Sequence, residues 1–189
     1  MFTPKRILHV AALAVLVSAA SAALAQSQDH YGFGTPIGPQ DLSKYFAIPA
    51  DGSGLPPGGG TAAEGAKVFG DNCAACHGDK GQGNPAQGIG GDRLLGGRGT
   101  LASDAPIKTV ESYWPYATTL FDYVRRAMPL SAPGSLSDNE VYAVVAYLLS
   151  EAKIIKPTDT MNAATLPKVT MPNRDGFVPD PRPELELYH

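Results

Sequence analysis

Two thiols and an imidazole lie within five residues, Cys73-Ala74-Ala75-Cys76-His77. The spacing C-x-x-C-H is the attachment signature of a c-type haem. Two thiols two residues apart can each bond to a haem vinyl group. The histidine directly after the second thiol then stands under the iron as an axial ligand. Both thioethers must reach one face of the macrocycle while the imidazole points at its centre, so the spacing is a chemical requirement.

Other chemistries use a C-x-x-C pair: a redox dithiol, half of a zinc site, or a disulfide. A redox dithiol needs a preceding strand and a parallel sheet. A zinc site needs two more ligands at short spacing, yet Cys73 and Cys76 are the chain's two cysteines and the remaining histidines are His9, His30 and His189. A disulfide leaves His77 unexplained. One covalently attached haem c, with its iron, is the expected cofactor.

His77 supplies one axial bond, and the sixth ligand decides between electron carriage and small-molecule binding. Met128, Met161, Met171, His30 and His189 are the candidates. Met128 lies 51 residues after His77 in a segment between two expected helices, and a helix pair can hold that segment across the haem. Met161 and Met171 fall beyond the last helix. The expected iron ligands are His77 and Met128; Met/His ligation raises the potential and fills the iron. Trp114, in the cluster Tyr113-Trp114-Pro115-Tyr116, reads either as a propionate hydrogen-bond donor or as a core aromatic. Arg98 reads either as a propionate partner or as a solvated cation. Arg125 and Arg126 fit a surface helix end, where the dipole favours cations.

The elements that position these residues are helical. A helix is expected from near Thr61 to about Asn72, with Ala62, Ala66 and Phe69 at helical spacing. Gly65 is costly there by propensity, and a close helix crossing would explain it. Residues 78–112 are glycine-rich and fit a loop wrapped around a haem edge. A second helix is expected from Thr118 to about Met128, with Leu120, Phe121 and Val124 inward; Met128-Pro129 ends it. Ser137-Asp138-Asn139-Glu140 is a capping box for a third helix. Val141, Val144, Val145, Leu148 and Leu149 form its apolar stripe.

Residues 1–25 resemble a secretory signal, with Lys5 and Arg6 before an apolar run and Ala23-Leu24-Ala25 at the cleavage positions. Export, a periplasmic location and no stable membrane span after cleavage are the expectation. The chain then carries 13 Lys plus Arg against 18 Asp plus Glu, a formal charge of −5. That balance argues against nucleic acid as a partner. Residues 26–60 are rich in glycine and proline, though Tyr31, Phe33, Tyr45 and Phe46 suggest some packing. The run Gly52–Gly60 reads as neither helix nor strand. Residues 156–189 hold six prolines and read as an extended tail. Both arms either cover the domain's own surface or serve as a docking surface.

Gly65 and Phe69 before C-x-x-C-H, Tyr147 on the last helix and the A-M-P segment at Met128 resemble class I cytochromes c. The resemblance implies an all-α fold, a single class I cytochrome c domain over 61–155, with irregular extensions at 26–60 and 156–189. It implies that Gly65 and Phe69 pack against Tyr147. In many class I cytochromes a proline neighbourhood beyond the motif supplies a carbonyl to the axial histidine. Pro85 is too close to His77 for this and 90–92 has no proline, so the carbonyl donor is open. Three further stretches, 54–65, 113–123 and 171–177, are similar to the cytochrome c subunits of bacterial molybdenum sulfite and sulfane dehydrogenases, including the Sox type. That resemblance implies an electron-transfer subunit without catalysis of its own. It would accept electrons from a molybdenum-containing sulfite or sulfane dehydrogenase and pass them to a downstream cytochrome or oxidase. The alternatives are a general periplasmic carrier, or a haem enzyme or gas sensor with an open sixth site.

Overall fold

The structure is a computed structural model and describes residues 34, 38, 47–83, 91–179 and 181–182. The expected leader at 1–25, the histidines His9, His30 and His189, the aromatics Tyr31, Phe33, Tyr45 and Phe46, and Pro85 lie outside the described residues. Residues 45–189 cluster as one compact unit. Among the described residues no helix is long and apolar enough to cross a membrane.

The described elements run β1 (Gly59–Thr61), α1 (Ala62–Asn72), α2 (Ala74–His77), α3 (Ala117–Ala127), α4 (Asp138–Glu151) and β2 (Thr160–Asn162), followed by a 3-10 turn at Leu166–Lys168. The fold is helix-dominated, as expected, with one small addition. β1 and β2 pair antiparallel, Gly60 opposite Met161. The reading of Gly52–Gly60 as neither helix nor strand is therefore corrected at Gly59 and Gly60. A glycine can be a strand residue where another backbone comes too close for a side chain. A Cβ on Gly60 would overlap the main chain of Ala143 in α4.

α4 is the hub. Its side chains from Val141 to Ala146, with Leu148 and Leu149, are at most 3% exposed. Burial thus extends well beyond the five-residue stripe, because α1, α3, β1 and β2 all pack on this helix. Phe121 meets Tyr142 with ring centroids 4.4 Å apart, and Phe69 meets Tyr147 at 5.1 Å. Where α1 crosses α4, a Cβ on Gly65 would overlap the Ala143 carbonyl and reach within 2.8 Å of the Tyr147 Cβ. The close crossing expected from Gly65 is present. The inward positions of α1 are Ala62, Gly65 and Phe69; Ala66 is exposed, since the face is centred on the glycine. Leu120, Phe121 and Val124 of α3 are buried as expected.

Capping fixes where α1 and α4 begin. The Thr61 hydroxyl accepts from Glu64 N–H while the Glu64 carboxylate accepts from Thr61 N–H at 2.8 Å. Ser137 and Glu140 do the same at α4. Each such cap is worth about 1 kcal/mol.

The tail is not simply extended. Met161, Leu166, Val169 and Met171 are buried in the same core as the helices, as is Ile48 from the other arm. Ile48 N–H donates to Asp122 Oδ1 at 3.0 Å. Asp122, 6% exposed, also pairs with Arg126 one helical turn on. The core therefore does not stop at residues 61 and 155.

Candidate functional site

α1 delivers the haem motif. Cys73 N–H donates to Phe69 O at 2.8 Å, so the motif continues directly from a helix anchored on α4. Cys73 O then accepts from Cys76 N–H at 3.1 Å and His77 N–H at 2.9 Å. This single turn sets Cys73, Cys76 and His77 at i, i+3 and i+4, on one face. All three are half-buried.

His77 Nδ1 lies 2.7 Å from the carbonyl of Asp92. Facing a carbonyl, Nδ1 must carry the proton, which leaves the Nε2 lone pair free for a metal. The carbonyl left open by the sequence is thus Asp92 O. The residue before it explains the approach. A Cβ on Gly91 would stand 2.5 Å from Cys76 O and 3.0 Å from Cys76 Cβ. Only glycine lets residues 91–92 lie on the motif. The chain on either side is tied down as well: Gly81 O accepts from Leu94 N–H at 2.8 Å and His77 O accepts from Gly83 N–H at 2.7 Å. A main-chain carbonyl has no residue signature, so the signal available in the sequence was the glycine at 91.

No disulfide joins Cys73 and Cys76. Burial, with Cys76 nearby, pushes the Cys73 thiol up to about 11, whereas a redox dithiol needs a lowered one. Among the described residues no group of three or more His, Cys, Asp or Glu side chains is arranged to hold a metal ion.

The residues present fit a haem. Beside the motif's thiols and oriented imidazole, Leu94, Leu95, Trp114, Met128 and Leu136 pack on the core while keeping accessible surface. A macrocycle needs such side chains, seated on one side and open on the other. Met128 ends α3, its N–H donating to Val124 O at 3.1 Å. Arg125 at the end of α3 pairs with Asp138 at the start of α4, 2.9 Å apart, clasping both ends of the Met128 segment. The rivals are placed otherwise. Met161 is 4% exposed and Met171 is 1% exposed, each enclosed by protein.

Trp114 packs edge-on to Tyr123, with centroids 5.7 Å apart. Arg98 is not simply solvated. It pairs with Glu111 at 3.1 Å and donates to Ala152 O at 2.7 Å, at the end of α4. Glu111, with its side chain 14% exposed, requires that cation. Glu111 also accepts from Gly96 N–H at 2.6 Å, so Arg98 latches the glycine-rich loop to the last helix. Arg125 and Arg126 likewise act through carboxylate partners and not through the helix dipole alone.

Residues 62–152 match the family model for cytochrome c. Over 94 residues the chain is 34% identical to cytochrome c6 of Synechococcus elongatus, 48% of this chain and 90% of that protein. It is 33% identical over 98 residues to thiosulfate dehydrogenase of Stutzerimonas stutzeri (strain A1501), which is 52% of this chain but 30% of that protein. A chain of the sulfane dehydrogenase SoxCD from Paracoccus pantotrophus superposes with a TM-score of 0.70 at 38% identity, covering 82% of this chain and 75% of that one. The chain belongs to the cytochrome c family. It is a monohaem electron carrier whose Cys73 and Cys76 hold haem c covalently.

Proposed function

We propose that this cytochrome is the electron-accepting subunit or partner of a molybdenum dehydrogenase that oxidises sulfite or a sulfane sulfur in the periplasm. The carrying observation is the reach of the SoxCD likeness: it covers 82% of the chain at 38% identity, well past the 62–152 cytochrome segment. The match to a thiosulfate dehydrogenase favours a sulfur compound as the electron source.

Bound haem supplies a one-electron ferric/ferrous couple. The protein's part is to tether it through Cys73 and Cys76, to ligate through His77 Nε2 and Met128, and to fix the imidazole through Asp92 O. Trp114, half-buried against the core and edge-on to Tyr123, would offer the group an apolar neighbour. Held by both His77 and Met128, the group would offer substrate no open position, and the chain would pass electrons onward to another cytochrome or an oxidase.

The test is to mix the oxidised holoprotein with the molybdenum subunit and add sulfite, thiosulfate or a sulfane donor. Rapid appearance of the ferrous spectrum with one of them supports the proposal. No reduction by any, while a chemical reductant works, overturns it. Ready carbon monoxide binding by the ferrous protein would instead favour the open-site reading.

A further inference from the structure

The two arms are a part of this chain that its family can do without. Cytochrome c6 of Synechococcus elongatus is covered over 90% of its length by 94 residues of this chain, so it has no room for either arm. The chain of the dehydrogenase SoxCD, by contrast, matches residues far beyond the cytochrome segment. Up to Met171 the tail is absorbed by the domain's own core. Beyond Met171 its use changes.

Two tight turns follow, with Arg174 N–H donating to Met171 O and Gly176 N–H to Asn173 O, both at 3.1 Å. Asn173 Nδ2 donates to Tyr113 O at 2.7 Å. These bonds pin the segment beside residues 113–116. Phe177 then stands edge-on to Tyr113, with centroids 5.2 Å apart, and stays 50% exposed. Val178 is 85% exposed. Two cations stand over the neighbouring rings: Lys108 over Tyr113 and Arg174 over Tyr116, each 5.3 Å from the centroid. The segment after the turns leaves apolar side chains outward, although covering a Phe would stabilise the domain by roughly 1.5–3 kcal/mol. An exposed apolar pair beside aromatics and cations has the anatomy of an interface centre with a charged rim.

We propose that Phe177 and Val178, backed by Tyr113 and rimmed by Lys108 and Arg174, form the surface on which the dehydrogenase subunit docks. The patch takes an apolar spot on that subunit bordered by carboxylates. This rests on the function proposed above and names the surface that serves it. Pre-ordering by the two turns lowers the entropy lost on binding, and the cations speed encounter at low salt.

The test uses full-length holoprotein and the purified molybdenum subunit, with affinity measured by calorimetry. A Phe177→Ser/Val178→Asp variant is expected to bind at least tenfold more weakly, with its haem spectrum, melting temperature and oligomeric state unchanged. Arg174→Glu is expected to weaken binding and flatten its salt dependence. Wild-type affinity in the double variant overturns the surface and leaves the partner standing. Failure of the wild-type chain to bind overturns the partner reading and the surface with it. A lowered melting temperature with intact binding shows that the pair covers its own chain. A wild-type dimer lost in the variant, with dehydrogenase binding retained, assigns the patch to a second copy; both results overturn the proposal.

Discussion

Replacing Gly91 by alanine tests how the axial imidazole is held. The new Cβ would lie 2.5 Å from Cys76 O and 2.6 Å from Cys76 C. Both are main-chain atoms of the haem motif and cannot swing aside. Ordinary carbon contacts need about 3.5 Å, so residues 91–92 must retreat by roughly 1 Å. The His77 Nδ1 to Asp92 O distance, now 2.7 Å, then passes the limit of a good hydrogen bond. Loss of that bond costs about 1 kcal/mol, and the displaced loop adds about 1–3 kcal/mol of strain. At roughly 2–4 °C per kcal/mol, the melting temperature falls by several degrees. The potential moves as well. A hydrogen bond from Nδ1 makes the imidazole a stronger donor to the metal and favours the ferric state. Losing about 1 kcal/mol of that preference raises the potential by about 40 mV, since 59 mV corresponds to a tenfold change for one electron. Potentiometric titration and thermal unfolding of the purified holoprotein measure both effects. An alanine variant with unchanged potential and melting temperature would refute the account of Gly91 and Asp92.

Met128→Ala is expected to abolish the far-red band of the ferric protein and lower its potential, whereas Met161→Ala and Met171→Ala keep the band and lose about 2–5 kcal/mol of stability in denaturant titrations. Gly65→Ala places a methyl group on the Ala143 carbonyl and is expected to cost about 3 kcal/mol in the same titration, more than any propensity gain from alanine. In haem-free chain the Cys73 thiol, raised to about 11 by burial, stays protonated through neutral pH. Its alkylation at pH 8 is expected to be about a hundredfold slower than that of an ordinary thiol and to climb until pH passes about 11. Mass spectrometry of labelled peptides reads this directly, and fast labelling at pH 8 would contradict the buried placement.

What the sequence disclosed is what local chemistry encodes. C-x-x-C-H is a covalent requirement written in consecutive residues. Ser137 and Glu140 cap α4 through bonds three residues apart, as the sequence showed; the matching box of Thr61 and Glu64 at α1 emerged from the structure. The contacts that remained hidden join distant main-chain atoms. Asp92 reaches His77 through a carbonyl that any residue would carry. Arg98 meets Glu111 and Ala152 across loops with no periodicity. Proline content suggested an extended tail, but Met161, Leu166 and Met171 bury themselves from a short strand, a 3-10 turn and the segment after it. Such pieces leave no repeating apolar pattern to read.

The architecture assigns the two proposed iron ligands to the ends of two helices that share α4 as a partner. α1 is seated by Gly65 on Ala143 and Phe69 on Tyr147, and it runs straight into Cys73 and the turn that carries His77. α3 is seated by Phe121 on Tyr142 and finishes at Met128. The two seats use neighbouring residues of one helix that is almost wholly buried, so the spacing of the two ligand-bearing ends is set by close-packed side chains and not by the loops between them. The loops are then held to this frame by individual bonds: Asp92 O on His77, Arg98 on Ala152 O, Arg125 on Asp138. A change in a loop bond should therefore tune the potential while leaving both ligands in place. A change at Ala143 or Tyr142 should disturb both ligand positions together, because no other element holds α1 and α3 at their separation as closely.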